Sequence, residues 1–152
     1  MPDPEAAPDD LHREATATVD AWLDHLADAE PSVLAIETDG NRRFVRLRGE
    51  EKGVFTVWLL IGQRTLHHET FMMPAPIENH AECYAHLLRR NHGLRGVAFT
   101  IGPEEAIYLE GRTPLEGLDA DALDEVIGMH WEAVERCFRP AMRIGYRSMF
   151  RG

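Results

Sequence analysis

An α+β fold built on an antiparallel sheet, in the order α-ββββ-α-ββ-α, is predicted by three features of the chain. Strand-like segments come in groups rather than alternating one by one with helices, which excludes a parallel βαβ plan. Between residues 42 and 71 three apolar/polar alternating segments are separated by the turn signals Gly49 to Gly53 and Gly62-Gln63. Three further segments carry apolar residues at three- and four-residue spacing, the period of a helix with one buried face.

Taken in order, Met1 to Asp10 is rich in Asp, Glu, Ala and Pro and is expected to be a mobile acidic tail. Residues 11–152 are expected to form a single α+β domain. Leu11, Ala15, Trp22, Leu26 and Ala29 recur at helical spacing, with Asp9 or Asp10 placed to cap the first turn and Pro31 beyond the end. Val33 to Thr38 reads as a strand, returned by the turn Asp39-Gly40-Asn41. Strands follow at Arg42 to Arg48, Val54 to Ile61 and Arg64 to Phe71, giving a first sheet of about four strands. Pro74 and Pro76 break the pattern, and Ile77 to His92 restarts it as a helix with Ile77, Ala81, Tyr84 and Leu88 as its apolar face and Asn91 with Gly93 as its stop. Val97 to Ile101 and Ala106 to Glu110 form a second hairpin. From an N-cap at Asp119 a long helix runs through Leu123, Ile127, His130, Val134, Cys137 and Phe138; Pro140 is expected to kink or end it, with Ala141 to Phe150 continuing as a further helical piece.

The two turns also predict a register. Gly49 to Gly53 sets Leu47 opposite Phe55, Val45 opposite Val57, Arg46 opposite Thr56 and Phe44 opposite Trp58. Gly62-Gln63, taken as a two-residue loop, sets Leu59 opposite Leu66, Val57 opposite His68, Phe55 opposite Thr70, Trp58 opposite His67 and Thr56 opposite Glu69. Both turns give the same partition. Val45, Leu47, Phe55, Val57, Leu59, Ile61 and Leu66 form a core face. The other face carries Phe44, Arg46, Arg48, Trp58, His67 and Glu69, too aromatic for plain solvent and too charged for a core, and Arg46 with Glu69 would flank Thr56 closely enough to pair. Aromatic and Arg side chains are the types that dominate binding energy at protein interfaces, so these six residues are the candidate protein-binding site.

Composition narrows the function. At 152 residues, 44% hydrophobic and 28% charged, the chain is an ordinary folded domain. A net charge of −10 and a pI near 5.2 exclude nucleic acid as the expected partner, because phosphate neutralisation needs a clustered basic surface, and they disfavour anionic membrane. The start of the chain lacks the basic and apolar regions of an export signal, and no apolar run approaches the roughly 20 residues that cross a bilayer. Two cysteines, Cys83 and Cys137, make neither a disulfide framework nor a four-ligand zinc site. The cytoplasm is the expected compartment.

Several segments resemble one family. Gly62-Gln63-Arg64 between apolar strands, Phe71-Met72-Met73-Pro74, Leu87-Leu88-Arg89-Arg90-Asn91 and Ile107-Tyr108-Leu109-Glu110-Gly111 are similar to the YbjN family of bacterial proteins, described as sensory transduction regulators. The resemblance spans roughly residues 20 to 150. It implies a fold like the class I type III secretion chaperones and a small cytoplasmic protein, often dimeric, that binds other proteins and has no established chemistry. These motifs mark fold positions, not catalytic groups.

No other pattern outweighs this reading. His67 and His68 are neighbours on a strand and so point to opposite faces, away from a shared ion. His80, Cys83 and His86 lie along one helix but lack a second ligand pair. His130, on the apolar stripe of the long helix, is expected to be a core histidine making one hydrogen bond; Trp22 and Trp131 are expected to pack, and Met72 and Met73 to fill uneven space at a strand exit. The sequence thus predicts a non-catalytic, chaperone-like or regulatory module without cofactor or metal, holding a protein or peptide partner and forming a homodimer. The competing readings are a small metal-dependent hydrolase using His and carboxylate groups, and a purely structural dimer.

Overall fold

The computed structural model describes residues 8–150, ordered as α1 (Pro8–Ala29), β1 (Val33–Asp39), β2 (Arg42–Arg48), β3 (Val54–Ile61), β4 (Thr65–Met73), α2 (His80–Asn91), β5 (Ala98–Ile101), β6 (Ile107–Pro114) and α3 (Ala120–Gly145). The α-ββββ-α-ββ-α order is therefore as the sequence predicts. All six strands join one antiparallel sheet in the order β1-β2-β3-β4-β6-β5. The second hairpin is not separate, because β6 pairs along the length of β4 from Thr65↔Pro114 to Met73↔Ile107. That pairing extends β6 four residues past the predicted end at Glu110.

Alternation sorts the sheet. Val45, Leu47, Phe55, Val57, Leu59, Ile61 and Leu66 are all buried, and they share one core with Val19 and Leu23 of α1, Cys83 and Leu87 of α2, and Leu123, Val126 and Val134 of α3. All three helices thus lie on one side. The β2/β3 register is the predicted one, with Val45↔Val57 and Phe44↔Trp58. The β3/β4 register is corrected by two residues: Ile61 faces Leu66, Leu59 faces His68, Trp58 faces Glu69 and Val57 faces Thr70. Gly62 N–H donates to the Thr65 carbonyl at 2.9 Å, so the two-residue loop is Gln63-Arg64 rather than Gly62-Gln63. A slip of two leaves every side chain on its predicted face, since the strand period is two.

Other boundaries move for local reasons. Helix α1 begins at Pro8, so Asp9 and Asp10 lie inside it instead of capping it, and the predicted tail loses its last three residues; the rest of it lies outside the described residues. Of the predicted face only Ala29 is exposed; Ala15 and Trp22 are buried, Leu11 and Leu26 pack against the core, and Val19 and Leu23 add to the anchor. In α2 the buried residues are Cys83 and Leu87, while Ile77 lies before the helix and, like Leu88, is exposed. The backbone enters α2 at Asn79, whose side-chain amide donates to the Ile144 carbonyl at 2.9 Å, and the helix turns Cys83 and Leu87 into the shared core.

Pro140 neither ends nor splits α3, which continues to Gly145 and is followed by a single 3-10 turn, Arg147–Met149. The proline forgoes one backbone bond. Burial of Ala141 and the close seat of Gly145 under Pro76, where a Cβ would approach the Pro76 Cβ to 3.0 Å, hold the last turns in place. Asp119 caps the start as predicted, accepting from the Ala122 N–H at 2.9 Å. A bulge between Phe71 and Met73 turns both Met72 and Met73 inward, which is how two consecutive strand residues come to be buried.

Candidate functional site: the open face of the sheet

With the helices on one side, the other side of the sheet is uncovered among the described residues. All six predicted site residues emerge there. The cross-strand row Glu37–Phe44–Trp58–Glu69–Glu110 runs over five strands, and the next row is Asp39–Arg42–Leu60–His67–Arg112. Trp58 is 45% exposed and meets Phe44 edge to face, ring centroids 5.1 Å apart. A shallow hollow of about 370 Å³ lies on one side of the Trp58 ring, lined by Ala35, Glu37, Phe44, Arg46 and Thr56. A second, of about 260 Å³, is lined by Arg42, Leu60, His67 and Glu69. The indole stands between them as a ridge.

The corrected register changes two relations within this face. Glu69 stands opposite Trp58, not beside Thr56, and among the described residues Arg46 and Glu69 form no ion pair. Arg48 lies at the far end of β2 opposite Val54, away from His67. Sequence reasoning missed Leu60, Phe71, Tyr108, Glu110 and Arg112. Leu60 and Phe71 were open to the same alternation that found Trp58, whereas the β6 residues required knowing that β6 borders β4. Phe71 and Tyr108 form a second edge-to-face pair at 5.6 Å. Glu69 and Glu110 are direct cross-strand partners, like charges side by side, an arrangement that costs stability unless a cation neutralises it. Thr100 donates its hydroxyl to Glu110 at 2.9 Å.

The covered side holds polar chemistry the sequence did not disclose. His68 Nδ1 lies 2.8 Å from His130 Nε2, His68 Nε2 lies 3.1 Å from Thr113 Oγ1, and His130 Nδ1 lies 2.7 Å from Thr70 Oγ1. Both imidazoles are fully buried. His130 is a core histidine as predicted, but with both ring nitrogens bonded rather than one. Burial first, and then the neighbouring His67, pushes His68 down to about 4; burial first, then His68 and His67, pushes His130 down to about 3. The pair is neutral at ordinary pH. Arg43 is also buried, bound to Asp20 of α1 at 2.7 and 3.1 Å and to the Gly40 carbonyl at 2.7 Å.

The remaining candidates stay apart. Cys83 is buried with its sulfur toward the Ala141 carbonyl at 3.7 Å, whereas His80 is exposed and the buried Nε2 of His86 has no partner among the described residues. Burial raises the thiols of Cys83 and Cys137, which makes them poor nucleophiles. Among the described residues no three His, Cys, Asp or Glu side chains converge where they could hold a metal ion. A groove of about 520 Å³, mostly apolar, lies where Trp22 and Leu26 of α1 face Ile127 and Trp131 of α3. Its Trp22 indole N–H donates to Asp124 at 2.8 Å, so both tryptophans act in packing as predicted.

The comparison with known proteins fits this architecture. The family model YbjN, described as "Putative bacterial sensory transduction regulator", matches residues 15–141, from the first buried turn of α1 to the last turns of α3. The chain belongs to the YbjN family. Among its relatives, the uncharacterized protein ML2442 of Mycobacterium leprae is 39% identical over 107 residues, which cover 70% of this chain and 58% of that protein. The uncharacterized protein Mb0497 of Mycobacterium bovis is 38% identical over 104 residues, 68% of this chain and 57% of the relative. This YbjN protein therefore aligns with little more than half the length of these curated relatives. Among the described residues no helix is long and apolar enough to cross a membrane.

Proposed function

We propose that this YbjN protein is a non-catalytic cytoplasmic binding module, regulatory or chaperone-like, that receives a protein or peptide partner on the open face of its sheet. One observation carries the reading: Trp58, edge-on to Phe44 and flanked by two hollows, stands on a face that no helix among the described residues covers. Exposed aromatic anchors ringed by arginine are the composition of interface hot spots. The adjacent Glu69 and Glu110 favour a partner that presents a cationic side chain beside an apolar one. The family's description as a sensory regulator agrees with a role in recognition.

A second copy of the chain is the other occupant this face suits. The protein as a whole carries −10, yet across these rows and the end of β2, Arg42, Arg46, Arg48 and Arg112 balance Glu37, Asp39, Glu69 and Glu110. A charge-balanced face can mate with itself about a two-fold axis despite the net repulsion.

A photo-crosslinking side chain in place of Leu60, irradiated in the native cytoplasm, tests both occupants. An adduct at twice the chain mass identifies the homodimer, and an adduct of another mass, lost in the Trp58→Ala/Arg46→Ala background while circular dichroism is unchanged, identifies a client. No adduct at all sinks the assignment of this face.

A further inference from the structure

We propose that His68 and His130, strung between Thr113 and Thr70, form an acid-sensitive latch that pins α3 to the sheet while neutral and frees it when protonated. The chain of contacts Thr113–His68–His130–Thr70 crosses from β6 through β4 to α3 and back to β4. Its geometry is tightly built. Gly111 stands directly opposite His68, and a Cβ there would approach the His68 Cε1 to 2.7 Å and the Gly96 carbonyl oxygen to 1.9 Å, so only glycine leaves room for the ring.

Counting hydrogens shows why the neutral state is special. Two neutral imidazoles and two hydroxyls supply one hydrogen for each of the three contacts, in either of two senses. In one, Thr113 donates to His68 Nε2, His68 Nδ1–H donates to His130 Nε2, and His130 Nδ1–H donates to Thr70. In the other sense every bond is reversed. A first added proton keeps all three contacts: His68 as imidazolium donates from both nitrogens, to His130 and to Thr113, and His130 still donates to Thr70. It places a full charge in the interior. A second proton sets N–H against N–H across 2.8 Å and breaks the central contact.

Among the described residues no neighbouring group rescues the charge. Of the elements packed around the pair, β3 presents Val57, Leu59 and Ile61, and α3 itself presents Val126, Ala133 and Val134. Strand β2 presents Arg43, of the same sign and already held by Asp20 of α1; α2 presents Cys83 and the half-buried His86; β4 adds His67 on the opposite face. Beyond Asp20, α1 offers His12, whose Nδ1 lies 2.7 Å from the Gly62 carbonyl, and β6 carries Glu110 and Arg112 on the open face. Among the described residues no carboxylate is buried, so an imidazolium here has no counter-ion.

The sign follows from linkage. Both histidines have lower pKa values folded than unfolded, so the unfolded chain binds protons first; the stabilising effect of the neutral pair is complete above about pH 6.5 and is lost as pH falls toward 4. At pH 5 each histidine lowers the folding constant on the order of thirtyfold relative to pH 7.5. The wild type and His68→Gln/His130→Gln are to be compared by urea unfolding at both pH values, with hydrogen exchange reporting α3 against β2 and β3. The expected result is a wild-type loss that exceeds the variant's by more than a hundredfold, with α3 amides opening first. Equal pH dependence in the two proteins overturns the latch. Should the variant not fold, nitrogen-15 spectra of the wild-type rings decide: each folded ring should keep one protonated and one bare nitrogen down to pH 5, and ordinary titration near 6.5 with α3 still protected overturns it equally.

Discussion

The two faces of the sheet are made by the same strands and differ in almost every physical respect. On the helix side, Leu59 is buried among α1 and α3 and the four fully buried polar residues are bonded, with the half-buried His86 the exception among the described residues: His68 and Thr70 each bond His130, and Arg43 holds Asp20 and two carbonyls. On the open side, one residue along, Leu60 and Trp58 face solvent, and Glu69 sits against Glu110 with neither in an ion pair among the described residues. The covered face is finished within one chain. The open face is not, and that contrast supports the proposed contact surface more firmly than composition does.

The contrast is broken most directly by neighbouring leucines. Leu59→Ala should cost about 3 kcal/mol in urea or thermal unfolding, and Leu60→Ala within about 0.5 kcal/mol, although the residues are adjacent. Similar losses at both positions would mean that the open face is covered within the same chain. A smaller effect probes how the helix side organises the rim. The Glu135 carboxylate of α3 reaches into the β2–β3 turn, accepting from the Glu51 N–H at 2.7 Å and from the Glu50 N–H. Glu135→Ala should therefore cost about 1 to 2 kcal/mol and loosen residues 49–53 in hydrogen exchange, and unchanged exchange would show that Gly49 and Gly53 shape the turn unaided. The smallest effect sharpens the open side: Glu110→Gln removes a like-charge neighbour and should stabilise the isolated chain by about 0.3 kcal/mol while weakening capture of a cationic partner. A variant that is less stable in isolation would show that Glu69 and Glu110 are neutralised within the chain.

How far the sequence reaches is clearest at particular residues. Period-two alternation placed Val45, Val57 and Leu59 inside and Phe44 and Trp58 outside, and this survived an error of two residues in the β3/β4 register because parity was kept. The same logic separated His67 from His68 but could not name what His68 meets. His130 is 62 residues away in sequence, and nothing in their spacing joins them. For α2, the amphipathic pattern favoured Ile77 and Leu88, which are exposed, over Cys83 and Leu87, which the core takes in, because the shared core with α3 and the sheet decides which stripe is covered.

Local chemistry thus determined the order of elements, the face on which each strand residue emerges and the cap at Asp119, since turns, alternation and capping act over a few neighbouring residues. Tertiary structure alone decided that β6 lies beside β4, that α3 runs through Pro140, and that two histidines and two threonines share one buried chain of hydrogen bonds. Those outcomes depend on which distant surfaces exclude water together, a quantity no short stretch of sequence contains.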